Sequence, residues 1–69
     1  MIYQLYYNIR GTYSNGEPII IDQEFEAICS NHSDATNKAK AAAVGHQAKL
    51  IAQGHNAETI YFGYGGPPA

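Results

Sequence analysis

Asp22, Glu24 and Glu26 alternate with Gln23 and Phe25 along the chain. On a strand, that spacing sets all three carboxylates on one face, roughly 7 Å apart at ~3.3 Å rise per residue. Such a row complements a basic surface, for instance the nucleic-acid groove of another protein. It acts on association rate and specificity more than on raw affinity. The same row also suits a solvated outer face, or an edge strand charged against sheet-to-sheet pairing. Tyr6 and Tyr61 share the parity of that face, with Gln4 and Arg10 nearby. An aromatic pair ringed by polar groups has the composition of a binding hot spot, although cross-strand tyrosines also stabilise sheets in their own right. Tyr6, Arg10, Asp22, Glu24, Glu26 and Tyr61 are therefore the candidate partner-binding residues.

Other chemistry is less well specified. Cys29 and His32 stand at a C-x2-H spacing, followed by His46 and His55. Zinc takes four ligands, commonly as two close pairs, and the second close pair is missing here. No metal site is assigned, and Cys29 reads as a small buried hydrophobe. A Cys29–His46 or Asp34–His32 pair would lack an oxyanion hole and a third orienting group, so no catalytic residue is assigned. Gly63-Tyr64-Gly65-Gly66 is rich in glycine, but a phosphate cradle needs a helix after it, and none follows. No cofactor is implied.

The composition bounds what can carry these residues. The chain has 69 residues, 45% hydrophobic and 14% charged, which describes one small globular domain rather than a disordered segment. Its formal net charge of -2 lacks the broad basic footprint of a nucleic-acid binder. No apolar run reaches the ~18 residues of a membrane span, and Met1 is not followed by the basic and apolar regions of a leader. A single cysteine forms no internal disulfide. A cytoplasmic setting with no membrane contact is the expectation. At this length the core alone is marginal, and self-association or a partner would add stability.

Ile2–Thr12 reads as a strand, with Tyr3, Leu5, Tyr7 and Ile9 on one face and Gln4, Tyr6, Asn8 and Arg10 on the other. Asn15-Gly16 signals a hairpin, since both residue types tolerate positive φ. The second strand, Ile19–Cys29, sets Ile19, Ile21, Phe25, Ala27 and Cys29 toward the core, with Gln23 among them. Ser33 or Asp34 is the expected N-cap of a helix over Ala35–Gln53, and Gly54 its terminator. Two stripes compete for burial on that helix. One is Ala35, Ala39, Ala42, Ala43 and Leu50 with His46; the other is Ala41, Val44, Ala48 and Ile51 and could face a partner. Gly45 is unfavourable within a helix unless it allows close packing.

A third strand spans Ala57–Tyr64, with Ile60, Phe62 and Tyr64 alternating against Thr59, Tyr61 and Gly63. Residues 65–69 read as a loose Gly/Pro tail unable to continue a ladder. The expectation is a single α+β domain over residues 1–64, ββαβ, with one helix on one face of a three-stranded antiparallel sheet. Because the first strand is apolar or aromatic on both faces, it belongs in the centre, giving order 2-1-3. The rival order 1-2-3 would require a right-handed parallel crossover.

Asp34–Ala43 is similar to the last helix of a double-stranded-RNA-binding domain, where lysines near the helix start hold phosphates. The likeness covers about one helix. Asp34 at its start, a further strand after it and the missing first helix all depart from that family. Lys38, Lys40 and Lys49 form a small basic patch in either case. Over nearly the whole chain, the architecture resembles small phage-encoded inhibitors of bacterial defence, including several anti-CRISPR proteins. That resemblance rests on the hairpin Ile2–Cys29, the alanine-rich helix capped at Ser33 or Asp34, and the closing strand Glu58-Thr59-Ile60-Tyr61-Phe62. It implies a non-enzymatic inhibitor acting in the host cytoplasm, binding a host protein or nucleoprotein complex where nucleic acid would go. It carries over no functional residue by motif. The alternatives are a homo-oligomer holding a small anionic ligand near Arg10, Lys38 or the histidines, and an RNA-binding domain.

Overall fold

The computed structural model describes residues 1–65. The chain runs β1 (Ile2–Thr12), β2 (Pro18–Ile28), α1 (His32–Ala52) and β3 (Asn56–Tyr64). The strands form one antiparallel sheet in the order β2-β1-β3, with the helix on one face. The α+β, ββαβ architecture read from the sequence is therefore the observed one, and the parallel alternative is excluded. Residues 66–69 of the expected tail lie outside the described residues. Gly65 departs from the expectation: its N–H donates to the Gln4 carbonyl at 2.8 Å, carrying the β1–β3 pairing one residue past the strand.

β1 takes the centre because its inward face is the most apolar in the chain. Tyr3, Leu5, Tyr7 and Ile9 are all buried. Above them lies α1, which contributes Ala35, Ala39, Ala43 and Leu50. Of the two competing stripes the first is thus the buried one, and Val44 and Ile51 of the second stay about half exposed. The reason is steric. Alanines add little bulk, so the helix lies close on a sheet whose volume comes from tyrosine, isoleucine and phenylalanine. Tyr3, Leu5, Cys29, Ala35 and Ala39 fill one end of the core, and Tyr7, Ile9, Ile19, Ala43 and Leu50 fill the other.

The helix starts earlier than its alanine run. Asn31, not Ser33 or Asp34, is the N-cap: its side-chain oxygen accepts from the Asp34 N–H at 2.9 Å. Asp34 reaches back and accepts from the Ser30 N–H at 2.9 Å. The first bond satisfies a donor that a helix start would otherwise leave unpaired, and the second ties the residue before the cap to the first helical turn. At the other end, Gly54 adopts φ 90°. Its N–H donates to Ile51, and that of His55 to Leu50, which is the Schellman closure that favours glycine.

The hairpin loop is tighter in its demands than the Asn-Gly pair suggested. Gly16 N–H donates to the Tyr13 carbonyl, and Tyr13 N–H to that of Glu17. Only Gly16 has positive φ, at 91°, while Asn15 spends its side chain on the Glu17 N–H. This is a three-residue loop, Ser14 to Gly16, closed by a glycine, instead of a two-residue turn with both residues left-handed.

β3 is not a regular strand. Ile9 pairs with Thr59 but Asn8 pairs with Tyr61, so Ile60 is an extra residue with no partner on β1. This bulge corrects the expected unbroken alternation. Ala57 and Thr59 point inward before it, Phe62 and Tyr64 after it, and Ile60 is turned out, 57% exposed. Gln47 of α1 secures the irregularity, its Oε1 accepting from the Thr59 N–H at 3.0 Å and from the Thr59 hydroxyl at 2.6 Å. Bulges increase local twist and re-aim side chains. Here the consequence is that Tyr61 and Gly63 face outward together.

Candidate interaction face

Among the described residues, the outer face of the sheet carries no helix. Across it, the register pairs Gln4 with Glu26, Tyr6 with Glu24, Asn8 with Asp22 and Arg10 with Ile20 on β2. On β3, Tyr6 lies opposite Gly63, Asn8 opposite Tyr61 and Arg10 opposite Glu58. All six residues singled out in the sequence, Tyr6, Arg10, Asp22, Glu24, Glu26 and Tyr61, therefore stand on this one face.

Tyr6 and Tyr61 stack, with ring centroids 5.4 Å apart and planes inclined by 27°. Their hydroxyls lie 3.3 Å apart. Gly63 makes this possible. A Cβ there would sit 3.3 Å from the Tyr61 hydroxyl and 3.6 Å from that of Tyr6, so both rings lean over a position left empty of side chain. The hydrogen bond to Tyr61, aided by lost hydration, raises the ionisation of the Tyr6 phenol above its usual value. Tyr61 is 51% exposed and presents its ring to solvent.

The acidic row is not uniform. Asp22 accepts from the Asn8 amide and pairs with Arg10 at 2.9 Å. The Asn8 hydrogen bond first, and then that of Arg10, hold the Asp22 carboxyl below its ordinary value. Arg10 in turn is held by the Ile9 and Ile21 carbonyls, both through the same nitrogen. One end of the row is thus locally neutralised. Among the described residues, Glu24 and Glu26 make no ion pair and remain the available negative charge beside the tyrosines.

Three features of this face were not read from the sequence. Asn8 pins Asp22, and the parity of β1 was sufficient to place it there. Gly63 supplies the floor for the tyrosine stack, a role that emerges only from the β1–β3 register. At the far end, Ile2 pairs directly with Ile28. Both are on the outer face and exposed, Ile28 to 74%.

The groups weighed as metal or catalytic candidates are dispersed. Cys29 is buried, its thiol directed at the Ala27 carbonyl. Each histidine instead meets a tyrosine. His32 stacks on Tyr64 at 5.1 Å and meets Tyr3 edge-on. His46 Nδ1 lies 2.7 Å from the Tyr7 hydroxyl, whose ionisation burial pushes upward. His55 meets Tyr13 edge-on while its Nδ1 accepts from the Ser14 N–H at 3.0 Å. Among the described residues, no three His, Cys, Asp or Glu side chains gather as metal ligands.

Lys38, from the basic helix patch, spends its ammonium on Asp34 at 3.3 Å and on the Ile28 carbonyl. A cleft of about 530 Å³ lies beside β3, lined by Arg10, Gln47, Ile51, His55 and Glu58 among others. The Arg10 guanidinium, however, is drawn toward β2 by Asp22 and Ile21. Among the described residues no helix is long and apolar enough to cross a membrane.

No family model, curated protein or solved structure matches the chain.

Proposed function

We propose that the protein is a small non-enzymatic binding module whose outer sheet face docks on a basic protein surface. In the form implied by its architecture, it would act as an inhibitor, occupying the surface where a host complex holds nucleic acid. One observation carries this reading: a stacked tyrosine pair, its Tyr61 ring exposed, shares with the unpaired Glu24 and Glu26 a sheet face that no element covers among the described residues. Aromatic side chains supply large contact area with little entropy to lose, and hot spots draw on them for that reason. Carboxylates at Glu24 and Glu26 favour a cationic partner and repel phosphate, which sets direct nucleic-acid binding aside.

The test is capture with tagged protein from a lysate of its native source, with and without nuclease, run beside the E24K/E26K and Y61A variants. A stoichiometric protein partner that survives nuclease, is lost with these variants, and is displaced by added nucleic acid supports the reading. A partner retained by both variants removes this face from the function. The alternative, an oligomer that binds a small ligand, rests on the cleft beside β3, whose volume falls in the range of ligand pockets. A plain monomer by sedimentation, with no co-purifying metabolite, removes it.

A further inference from the structure

We infer that the outer face reads an arginine side chain, followed four residues later in an extended partner segment by a branched apolar residue. This rests on the binding reading above and names the partner's chemistry. The cation site is the Tyr6–Tyr61 stack with Glu24. Tyr6 and Glu24 are directly paired across β1 and β2, and Glu24 has no ion pair of its own among the described residues. Glu24 thus sets an unpaired carboxylate on the β2 side of Tyr6 while the rings lean over Gly63 on β3, and the guanidinium at the end of a long side chain bridges the two. The hydroxyls of both tyrosines, gathered over Gly63, add acceptors at the edge of the same patch.

Arginine fits this arrangement better than lysine. Its planar guanidinium stacks on an aromatic ring, donates in a fork to a carboxylate, and gives up its weak hydration at low cost. An ammonium is a strongly hydrated point charge that gains the ion pair but little from the stack.

The apolar site is the exposed Ile2–Ile28 pair on the same face. Ile2 and Tyr6 are four residues apart on one strand, about 13 Å at ~3.3 Å per residue. An extended segment lying along β1 spans that distance in four residues of its own, so arginine and apolar residue arrive together. Glu26, opposite Gln4, lies between the two sites and adds attraction for a basic segment. At the opposite end of the face, Arg10 already occupies Asp22.

The experiment uses a nine-residue peptide with arginine at position 3 and leucine at position 7 in a Gly/Ser background. It is titrated into labelled protein and followed by NMR shifts and calorimetry. Three matched peptides replace arginine by lysine, arginine by citrulline, and leucine by serine. The expected result is shifts confined to Tyr6, Tyr61, Glu24, Ile2 and Ile28. Affinity should fall roughly threefold for lysine and about tenfold for citrulline, and fall again for serine. Y61A and E24Q proteins, checked for unchanged secondary structure, should lose the arginine-over-lysine preference.

Equal affinity for arginine and lysine peptides, shifts elsewhere on the molecule, or no binding at millimolar peptide would each overturn the inference. These outcomes leave the broader reading to its own test, because a partner lost with E24K/E26K would still show the face at work by charge alone. A partner retained by those variants would remove both.

Discussion

The hydroxyls of Tyr6 and Tyr61 meet 3.3 Å apart over Gly63, from strands that the sequence separates by the whole helix. Tyr6 leans across to β3, Tyr61 leans along its own strand, and the absent side chain at position 63 leaves room for both. The stack therefore depends on the Ile60 bulge, which shifts β3 by one residue and keeps Tyr61 and Gly63 on the outer face. An aromatic patch built in this way needs no loop.

This contact has a spectroscopic signature. The Tyr6 phenol ionises at higher pH than an ordinary tyrosine, chiefly because of its hydrogen bond to Tyr61. In Y61F, Tyr6 should titrate at lower pH, closer to the usual value. Tyr7, raised by burial on the other side of the sheet, should be unmoved. Ring NMR shifts followed through an alkaline titration separate the two; a Tyr6 titration identical in wild type and Y61F would disprove the coupling.

The glycines make opposite predictions. A Cβ at Gly11 would lie 1.9 Å from the Asn56 carbonyl oxygen, a backbone atom that cannot swing aside. Gly11→Ala should therefore cost about 1–3 kcal/mol, as overpacking does. Gly45 lies within α1, exposed, with nothing near its missing side chain, so it serves no close packing. Gly45→Ala should stabilise by about 0.5–1 kcal/mol, the ordinary helix preference of alanine. Urea denaturation of both variants checks the pair, and a stabilising Gly11→Ala would contradict the register at that end of the sheet.

The helix start should govern stability at low pH. Asn31→Ala removes the N-cap acceptor and should cost about 0.5–2 kcal/mol. The Asp34 carboxyl is held below its ordinary value of 3.8, first by the Ser30 N–H and then by Lys38; Asp22 is lowered likewise by Asn8 and Arg10. A carboxyl depressed in the folded state stabilises fully above its unfolded value and loses that contribution as pH falls through the folded one. Thermal stability should thus drop as pH falls below about 4. The D34N and D22N variants should each show a shallower drop, and parallel curves for wild type and D34N would show that the cap carboxylate is not the acid-sensitive group.

Much of this was legible in the sequence because period-2 patterning is local. Tyr3, Leu5, Tyr7 and Ile9 announce a buried strand face, and the same parity placed Asp22, Glu24 and Glu26 together outside. What was hidden depends on partners distant in sequence. Ile60 looks like a core residue until Thr59 is tied to Gln47 and the strand bulges. Asn31 looks like loop until the bond it accepts from the Asp34 N–H makes it a cap. Asp22 looks equivalent to Glu24 until Asn8 and Arg10 close on it. Local pattern sets which face a residue takes, whereas its availability for binding is decided by neighbours across the sheet.

That distinction yields the last prediction. If the outer face steers a basic partner by charge, position should matter as well as net charge. Glu24→Lys and Glu17→Lys make the same change in total charge, but Glu17 lies at the base of the hairpin loop and Glu24 directly opposite Tyr6. E24K should slow association with the captured partner roughly tenfold at low salt, the lower end of what electrostatic steering provides. E17K should slow it much less. The gap should narrow at 0.5 M salt, where the screening length shrinks to about 4 Å. Dissociation should change for Y61A more than for E17K, since the tyrosine supplies contact area and the loop carboxylate only long-range field. Surface plasmon resonance at two salt concentrations reads all of these rates. Equal slowing by E24K and E17K would mean that the partner senses only the charge of the whole protein, and the acidic edge of the sheet would lose its claim to the interface.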